Sequence, residues 1–139
     1  KGVRLACDVG TVRIGVARSD VHGILATPLE AVPAGENCFN QIKSLVDEFD
    51  VVEVIVGLPL QMNGTEGASA QMAREWATRL DELVTCPIRF VDERLTTVQA
   101  QRGLHAAGRT VKNSRAAIDS ASAVVLLQSV IDTRKHDAT

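Results

Sequence analysis

The stretch Lys1-Gly-Val-Arg-Leu-Ala-Cys-Asp-Val-Gly-Thr-Val-Arg-Ile-Gly-Val-Ala17 decides how the rest of the chain is interpreted. Its pattern predicts two strands, over residues 3–8 and 12–18, joined by a tight turn that contains Gly10. The first strand ends in Asp8, directly after a run of apolar residues. A carboxylate in such a place is costly unless a positive group lies against it, so we expect a metal ion or an arginine such as Arg13 beside it.

The remaining pattern predicts the architecture. A third strand over residues 24–32 completes an antiparallel meander, and Pro28 marks it as an edge strand or a bulge. Apolar spacing then predicts alternating elements: a helix over 37–49, a strand over 51–56, a helix over 68–83, a strand over 88–91, and helices over 96–107 and 114–132. This order predicts an α/β fold: a five-stranded mixed sheet, three antiparallel strands then two parallel ones, flanked by helices on both faces. We expect a single domain over residues 1–139, with a frayed tail at 133–139.

Composition and net charge disfavour several modes of binding. The chain has 139 residues, of which 45% are hydrophobic and 3% aromatic, so binding of bases on an aromatic platform is disfavoured. The net charge of −2 gives no overall attraction to nucleic acid, although residues 89–115 carry six Lys or Arg against two acids. The three cysteines lack metal-ligand spacing, and the sequence contains no apolar run long enough to span a membrane. We expect no signal peptide. The expected location is the cytoplasm, without a membrane partner.

Acidic residues stand at positions where α/β folds place functional groups. Asp8 ends the first strand, Asp92 and Glu93 end the fifth, and Asp119 lies early in the last predicted helix. If strands one, four and five are neighbours, the first three acids meet at one sheet edge, and the last helix can lay Asp119 against them. Carboxylates crowded in this way suit Mg²⁺ or Mn²⁺, and two such ions can activate water against a phosphodiester.

Each acid also has a simpler explanation when it is taken alone. Asp8 is a common turn residue, Asp92 and Glu93 suit a solvated strand end, and the helix dipole favours Asp119. The metal-site hypothesis therefore depends on the acids converging in the fold.

Polar and basic residues near these acids are candidate substrate contacts. Arg13 either contacts substrate or neutralises Asp8, and the loop with Asn63 and Thr65 leads from a strand into a helix. A basic segment, which suits a polyanion backbone, contains Arg109, Lys112 and Arg115. A capped turn and a solvated charged loop explain the same residues without any ligand.

Four segments in order, DVGTVRIGVA, VGLPLQMNGTEG, FVDERLTT and IDSASAVVLLQ, resemble the YqgF/RuvX family of proposed pre-16S rRNA nucleases, also described as Holliday-junction-resolvase-like. The resemblance implies a ribonuclease H-like fold in which strands one, four and five lie side by side. It implies that Asp8, Glu93 and Asp119 are catalytic residues and metal ligands, with Asp92 as a less certain neighbour. It also implies a two-metal site for Mg²⁺ or Mn²⁺ and phosphodiester hydrolysis.

The expectation is thus a metal-dependent endonuclease acting on structured nucleic acid, either precursor 16S rRNA at its 5′ end or branched DNA. A junction resolvase needs two active sites related by a two-fold axis, so that activity would require a homodimer. One alternative is a nucleic-acid-binding module of the same fold that does not cleave. Another is a nucleotide-binding ATPase, because DVGTVRIGVA is similar to the first phosphate loop of the actin and sugar-kinase superfamily. Those proteins use two such domains, and 139 residues supply one.

Overall fold

The computed structural model describes residues 2–61, 63–93 and 115–137, and the side chains of residues 115 and 134–137 are left out of this description. Within these ranges the elements follow in this order: β1 (Arg4–Val9), β2 (Arg13–Ser19), β3 (Ala26–Pro33), α1 (Cys38–Glu48), β4 (Glu53–Leu58), α2 (Ala68–Asp81), β5 (Ile88–Asp92), α3 (Arg115–Asp119) and α4 (Ala121–Asp137). None of the helices in this part of the chain has the length and apolar character needed to cross a bilayer.

The strands form one five-stranded sheet in the order β3-β2-β1-β4-β5. β2 runs antiparallel to β1 and to β3, whereas β4 runs parallel to β1 and β5 parallel to β4. This arrangement confirms the predicted mixed sheet and puts the first, fourth and fifth strands side by side. β1 is therefore the central strand, and its carboxyl end faces the same edge as those of β4 and β5.

One face of the sheet is covered by α1 and α2. Alternate strand residues point to this face because successive side chains of a strand project to opposite sides. They meet helix residues at helical spacing, and the buried set includes Leu5, Cys7, Ile14, Val16, Val54, Val56, Phe39, Ile42, Val46, Ala73, Trp76 and Leu80. Burial of these apolar side chains, which contributes about 1.5–3 kcal/mol for each Val, Leu or Ile, makes this the larger core.

The other face is covered by α4 and is built from smaller side chains. The sheet contributes Ala6, Ala17, Ala26, Ile55 and Val91, and the helix contributes Ala123, Leu126, Leu127, Val130 and Ile131. Short side chains let the helix axis lie close to the sheet. Asp8 follows Ala6 by two residues and so projects to this same face, toward the beginning of α4.

The structure corrects the sequence-based boundaries in the last third of the chain. The helix predicted over 114–132 is divided at Ser120 into α3 and α4, so Asp119 ends a short helix instead of lying in the second turn of a long one. α4 continues to Asp137, past the predicted helix end at residue 132, because a helix already formed gains one hydrogen bond with each added residue. The frayed tail over 133–139 stays a prediction. The helix predicted over 96–107 lies outside the described residues.

Candidate active site

Asp8 lies between two glycines on the face covered by α4. On β2 its partner is Gly15. On the other side, β1 and β4 pair as far as Cys7 and Val56, so Gly57 follows one residue beyond as the neighbour of Asp8. The carboxylate therefore stands in a row where the two adjacent strands have no side chains, and this leaves room for groups from other elements.

Glu93 fills part of that room. It follows β5, and its side chain lies over Gly57, where its Cγ and Cδ stand 3.0 Å from the position that a Cβ would occupy. Its carboxyl group hydrogen-bonds to the carboxyl group of Asp8. The structure thus brings together two of the three acids that were predicted to converge.

The contact changes how both groups ionise. Burial, followed by the charge of Asp8 and the hydrogen bond with it, raises the pKa of Glu93 to about 7. Burial also raises the pKa of Asp8, while hydrogen bonds from Glu93 and from the Ser122 hydroxyl act in the opposite direction. Glu93 is therefore the partner that carries the proton and donates the hydrogen bond, and the Asp8 carboxylate accepts that hydrogen bond.

Asp119 reaches the same place through its main chain. A Cβ on Gly15 would stand 3.1 Å from the carbonyl oxygen of Asp119, 3.4 Å from Cα of Ser120 and 3.7 Å from Cβ of Asp8. The junction of α3 and α4 therefore rests directly on β2 beside Asp8. In the described part of the chain, however, no three His, Cys, Asp or Glu side chains are grouped to hold a metal ion, so the Asp119 carboxylate does not complete a three-acid cluster here.

Ser120 holds this junction in place. The register between β2 and β3 shifts between Ile14 and Val16, and the fully buried hydroxyl of Ser120 occupies that irregularity. The amide of Val16 donates to Ser120 Oγ at 3.0 Å, and Ser120 Oγ donates to the carbonyl oxygen of Leu29 at 2.7 Å. One hydroxyl thus satisfies two buried backbone groups and fixes the residue that follows Asp119.

The donor set fits a hard divalent cation. Carboxylate oxygens are the ligands that Mg²⁺ and Mn²⁺ prefer; burial raises the pKa of both Asp8 and Glu93, and the charge of Asp8 raises that of Glu93 further. A divalent cation would neutralise the charge of the pair, and both acids project from the carboxyl edge of the parallel strands β1, β4 and β5.

The predicted substrate contacts have different positions. Arg13 is exposed at the end of the β1–β2 turn, where its carbonyl oxygen accepts a hydrogen bond from the amide of Gly10. Among the described residues, the ion pairs do not include one between Arg13 and Asp8. Asn63 and Thr65 are also exposed, but Asn63 Oδ1 accepts hydrogen bonds from the Thr65 amide (3.1 Å) and hydroxyl (2.7 Å) and so closes the loop itself.

The basic segment cannot be placed in the same way. Arg109 and Lys112 lie outside the described residues, as does the link that contains them. Arg115 begins α3, but its side chain is not described. Asp92 ends β5 opposite Leu58 of β4, and its charge contributes to the raised pKa of Glu93.

The sequence interpretation missed four residues that shape the site. Ser120 and Ser122 were ignored because serines in an apolar helix carry no periodic signal, although the first breaks the helix and the second donates to Asp8. Gly15 and Gly57 carry no functional signal in the sequence, where they are two of ten glycines. Both lie beside Asp8 because of the register between the strands, which local sequence patterns do not reveal.

The family model and the relatives of known name agree on the family to which the chain is similar. The family model described as "RuvX: Holliday junction resolvase" matches residues 2–133. A protein of Mycobacterium ulcerans named "Putative pre-16S rRNA nuclease" is 52% identical over 139 residues, which cover 97% of this chain and 81% of that protein. A protein of Clavibacter michiganensis with the same name is 45% identical over 137 residues, covering 96% and 85%.

Among solved structures, the chain is similar to one described as Thermus thermophilus RuvC in complex with Holliday junction substrate. The TM-score is 0.65, the sequence identity is 14%, and the alignment covers 98% of this chain and 97% of the other. At this identity the likeness concerns the fold, and it confirms the predicted ribonuclease H-like architecture.

Proposed function

The chain belongs to the RuvX family, and from this premise we propose that it is a nuclease that hydrolyses phosphodiester bonds of structured nucleic acid with the help of a divalent cation. The observation that carries the proposal is the contact between the carboxyl groups of Asp8 and Glu93 at the carboxyl edge of the parallel strands. Two acids sharing one proton in a part-buried position gain most from a cation, and a solvated strand end would not need such crowding.

Residues of this chain would act as follows. Asp8 and Glu93, joined by Asp119, would hold Mg²⁺ or Mn²⁺, with one or two ions in the site. The bound cation supplies activation of water and stabilisation of the leaving oxygen of the phosphodiester. Ser122 orients Asp8 through its hydroxyl group, and Ser120 fixes the chain beside Asp119.

Substrate contacts complete the proposal. Arg13 stands exposed at the turn that follows β1, so its guanidinium can reach a phosphate near Asp8. Asn63 and Thr65 shape the exposed loop before α2, and we propose contacts by that loop and by Arg109, Lys112 and Arg115. The three cysteines are free thiols, which agrees with action in the cytoplasm, as we propose.

Precursor 16S rRNA is the substrate we favour. The relatives at 45–52% identity are named for that RNA, and the reaction we propose is maturation of its 5′ end. A second candidate is the four-way DNA junction, which the description of the matching family favours. Symmetric cleavage of a junction would require a homodimer with two sites.

A single assay separates the candidates. Purified protein is offered precursor 16S rRNA and a four-way DNA junction side by side, each with Mg²⁺, with Mn²⁺ and with EDTA. We expect cation-dependent cleavage of the RNA and an intact junction. Paired symmetric cuts in the junction with intact RNA would instead establish the second candidate, and cleavage of neither substrate would reject the proposed activity.

A further inference from the structure

We infer that Gly57 is a positioning residue: the absence of a side chain at this position of β4 opens the path by which Glu93 crosses from β5 to Asp8 on β1. The expected effect of Gly57 on catalysis rests on the proposed function, whereas the steric conflict between a side chain at position 57 and Glu93 does not.

At Gly57 the nearest atoms that an added side chain would meet all belong to Glu93. A Cβ placed on Gly57 would overlap Oε2 of Glu93 and would stand 3.0 Å from both its Cδ and its Cγ. The conflict therefore involves most of the side chain and not only its tip. At Gly67, by contrast, a Cβ would meet the end amide of Gln61 at 2.6 Å, with the next atom at 3.5 Å, so that a small movement of one flexible tip would relieve it.

Sheet order explains why such a path is needed. β4 lies between β5 and β1, so the backbones at Glu93 and Asp8 are two strand spacings apart, about 10 Å in total, and the two side chains can meet only by crossing over β4 at Gly57. On the face covered by α4, β4 and β5 otherwise carry buried side chains, Ile55 and Val91. Only Gly57 interrupts that layer at the level of Asp8. The long reach also accounts for Glu instead of Asp at position 93, because Asp is one methylene shorter.

Backbone conformation does not explain the glycine. Among the described residues, the glycines with positive φ are Gly2, Gly23, Gly35 and Gly64, so the backbone at Gly57 is one that any L residue adopts. Glycine within a strand is unfavourable relative to alanine. Its presence at this position is therefore explained by the side chain that crosses it.

The test compares Gly57→Ala with the wild type by crystallography and by cleavage. We expect the crystal structure of the variant to show an intact sheet in which the Glu93 carboxyl group no longer hydrogen-bonds to Asp8. We expect the cleavage rate to fall about 10- to 100-fold, as for loss of a group that orients a ligand. A variant structure in which the Glu93–Asp8 hydrogen bond persists would overturn the inference.

A double-variant cycle separates positioning from general destabilisation. In a Glu93→Ala background the clashing side chain is gone, so adding Gly57→Ala should change the residual rate less than twofold. An equal loss in both backgrounds would overturn the inference. If Gly57→Ala alone does not fold, the double variant should still fold, and its failure to do so would show that the glycine serves another purpose.

The matched control is Val54→Ala on the same strand. Val54 is fully buried on the opposite face, so its truncation lowers the melting temperature while the path of Glu93 stays open. Below that melting temperature its cleavage rate should stay within about twofold of the wild type, and a loss as large as that of Gly57→Ala would overturn the inference. If the wild type cleaves no substrate, the proposed function fails, and the crystallographic comparison still decides the role of Gly57.

Discussion

Replacement of Asp8 by Asn is expected to abolish cation-dependent cleavage, with a loss of at least about a hundredfold, while the fold stays intact. Asn has nearly the same shape as Asp, so the packing between β1 and the beginning of α4 is kept. It removes the negative charge that would bind a cation together with Glu93. It also replaces an oxygen that accepts hydrogen bonds from Glu93 and Ser122.

The measurement is the initial rate of cleavage with saturating Mg²⁺ or Mn²⁺, together with circular dichroism of the variant. Asp20→Asn is the matched control, because the same chemical change is made in the exposed loop between β2 and β3. There Asp20 Oδ1 accepts hydrogen bonds from the amides of Ile24 (2.6 Å) and Leu25 (2.9 Å), which an Asn oxygen can also accept. Full activity in Asp8→Asn would refute the assigned site.

The second large expected effect is a dependence of the free energy of unfolding on pH. The pKa of Glu93 is raised to about 7 in the folded protein, whereas an unfolded glutamate titrates near its ordinary value of 4.5. Below that ordinary pKa the carboxyl group is protonated in both states, and its contribution to stability is fully present. As the pH rises to about 7, the unfolded chain releases the proton first, so the free energy of unfolding falls.

Glu93→Gln should remove this dependence. Without divalent cations, and at pH 8, we expect the variant to be more stable than the wild type by about 1–2 kcal/mol, a figure that allows for solvent screening of the part-exposed pair. At pH 4 the two proteins should be nearly equal. Urea unfolding in EDTA across pH 4–8 measures the difference.

Glu66→Gln is the control, because the pKa of Glu66 is shifted in the direction opposite to that of Glu93. The ion pair with Arg74 holds the pKa of Glu66 below its usual range, so its contribution changes below pH 4.5. The slope of stability between pH 4.5 and 7 should therefore be unchanged in Glu66→Gln. A slope that persists undiminished in Glu93→Gln would show that Glu93 does not hold the shared proton.

The fold was predictable because its signals are local. The apolar run before Asp8, Pro28 on the third strand and the buried fourth strand each follow from residue order, and the structure confirms the sheet that they imply. The resemblance to RuvX was confirmed by the family match over residues 2–133. The position of Asp8 beside β4 and β5 then follows from sheet order.

The details of the site depend on contacts between distant residues, which local patterns do not encode. Ser120 breaks the last helix because its hydroxyl bridges Val16 and Leu29, more than ninety residues earlier. Glu93 crosses Gly57 only because of the register between β4 and β5. Asn63 and Thr65 resemble ligand-binding residues in the sequence, yet their polar atoms first serve to close their own loop.

The central claim is that Asp8 and Glu93 bind a divalent cation together, and calorimetric titration with Mn²⁺ tests it most directly. The account predicts saturable binding by the wild type and at least about tenfold weaker binding by both Asp8→Asn and Glu93→Gln. The Asp20→Asn control should bind as the wild type does. Mn²⁺ binding that is unchanged in Asp8→Asn and in Glu93→Gln would contradict the account.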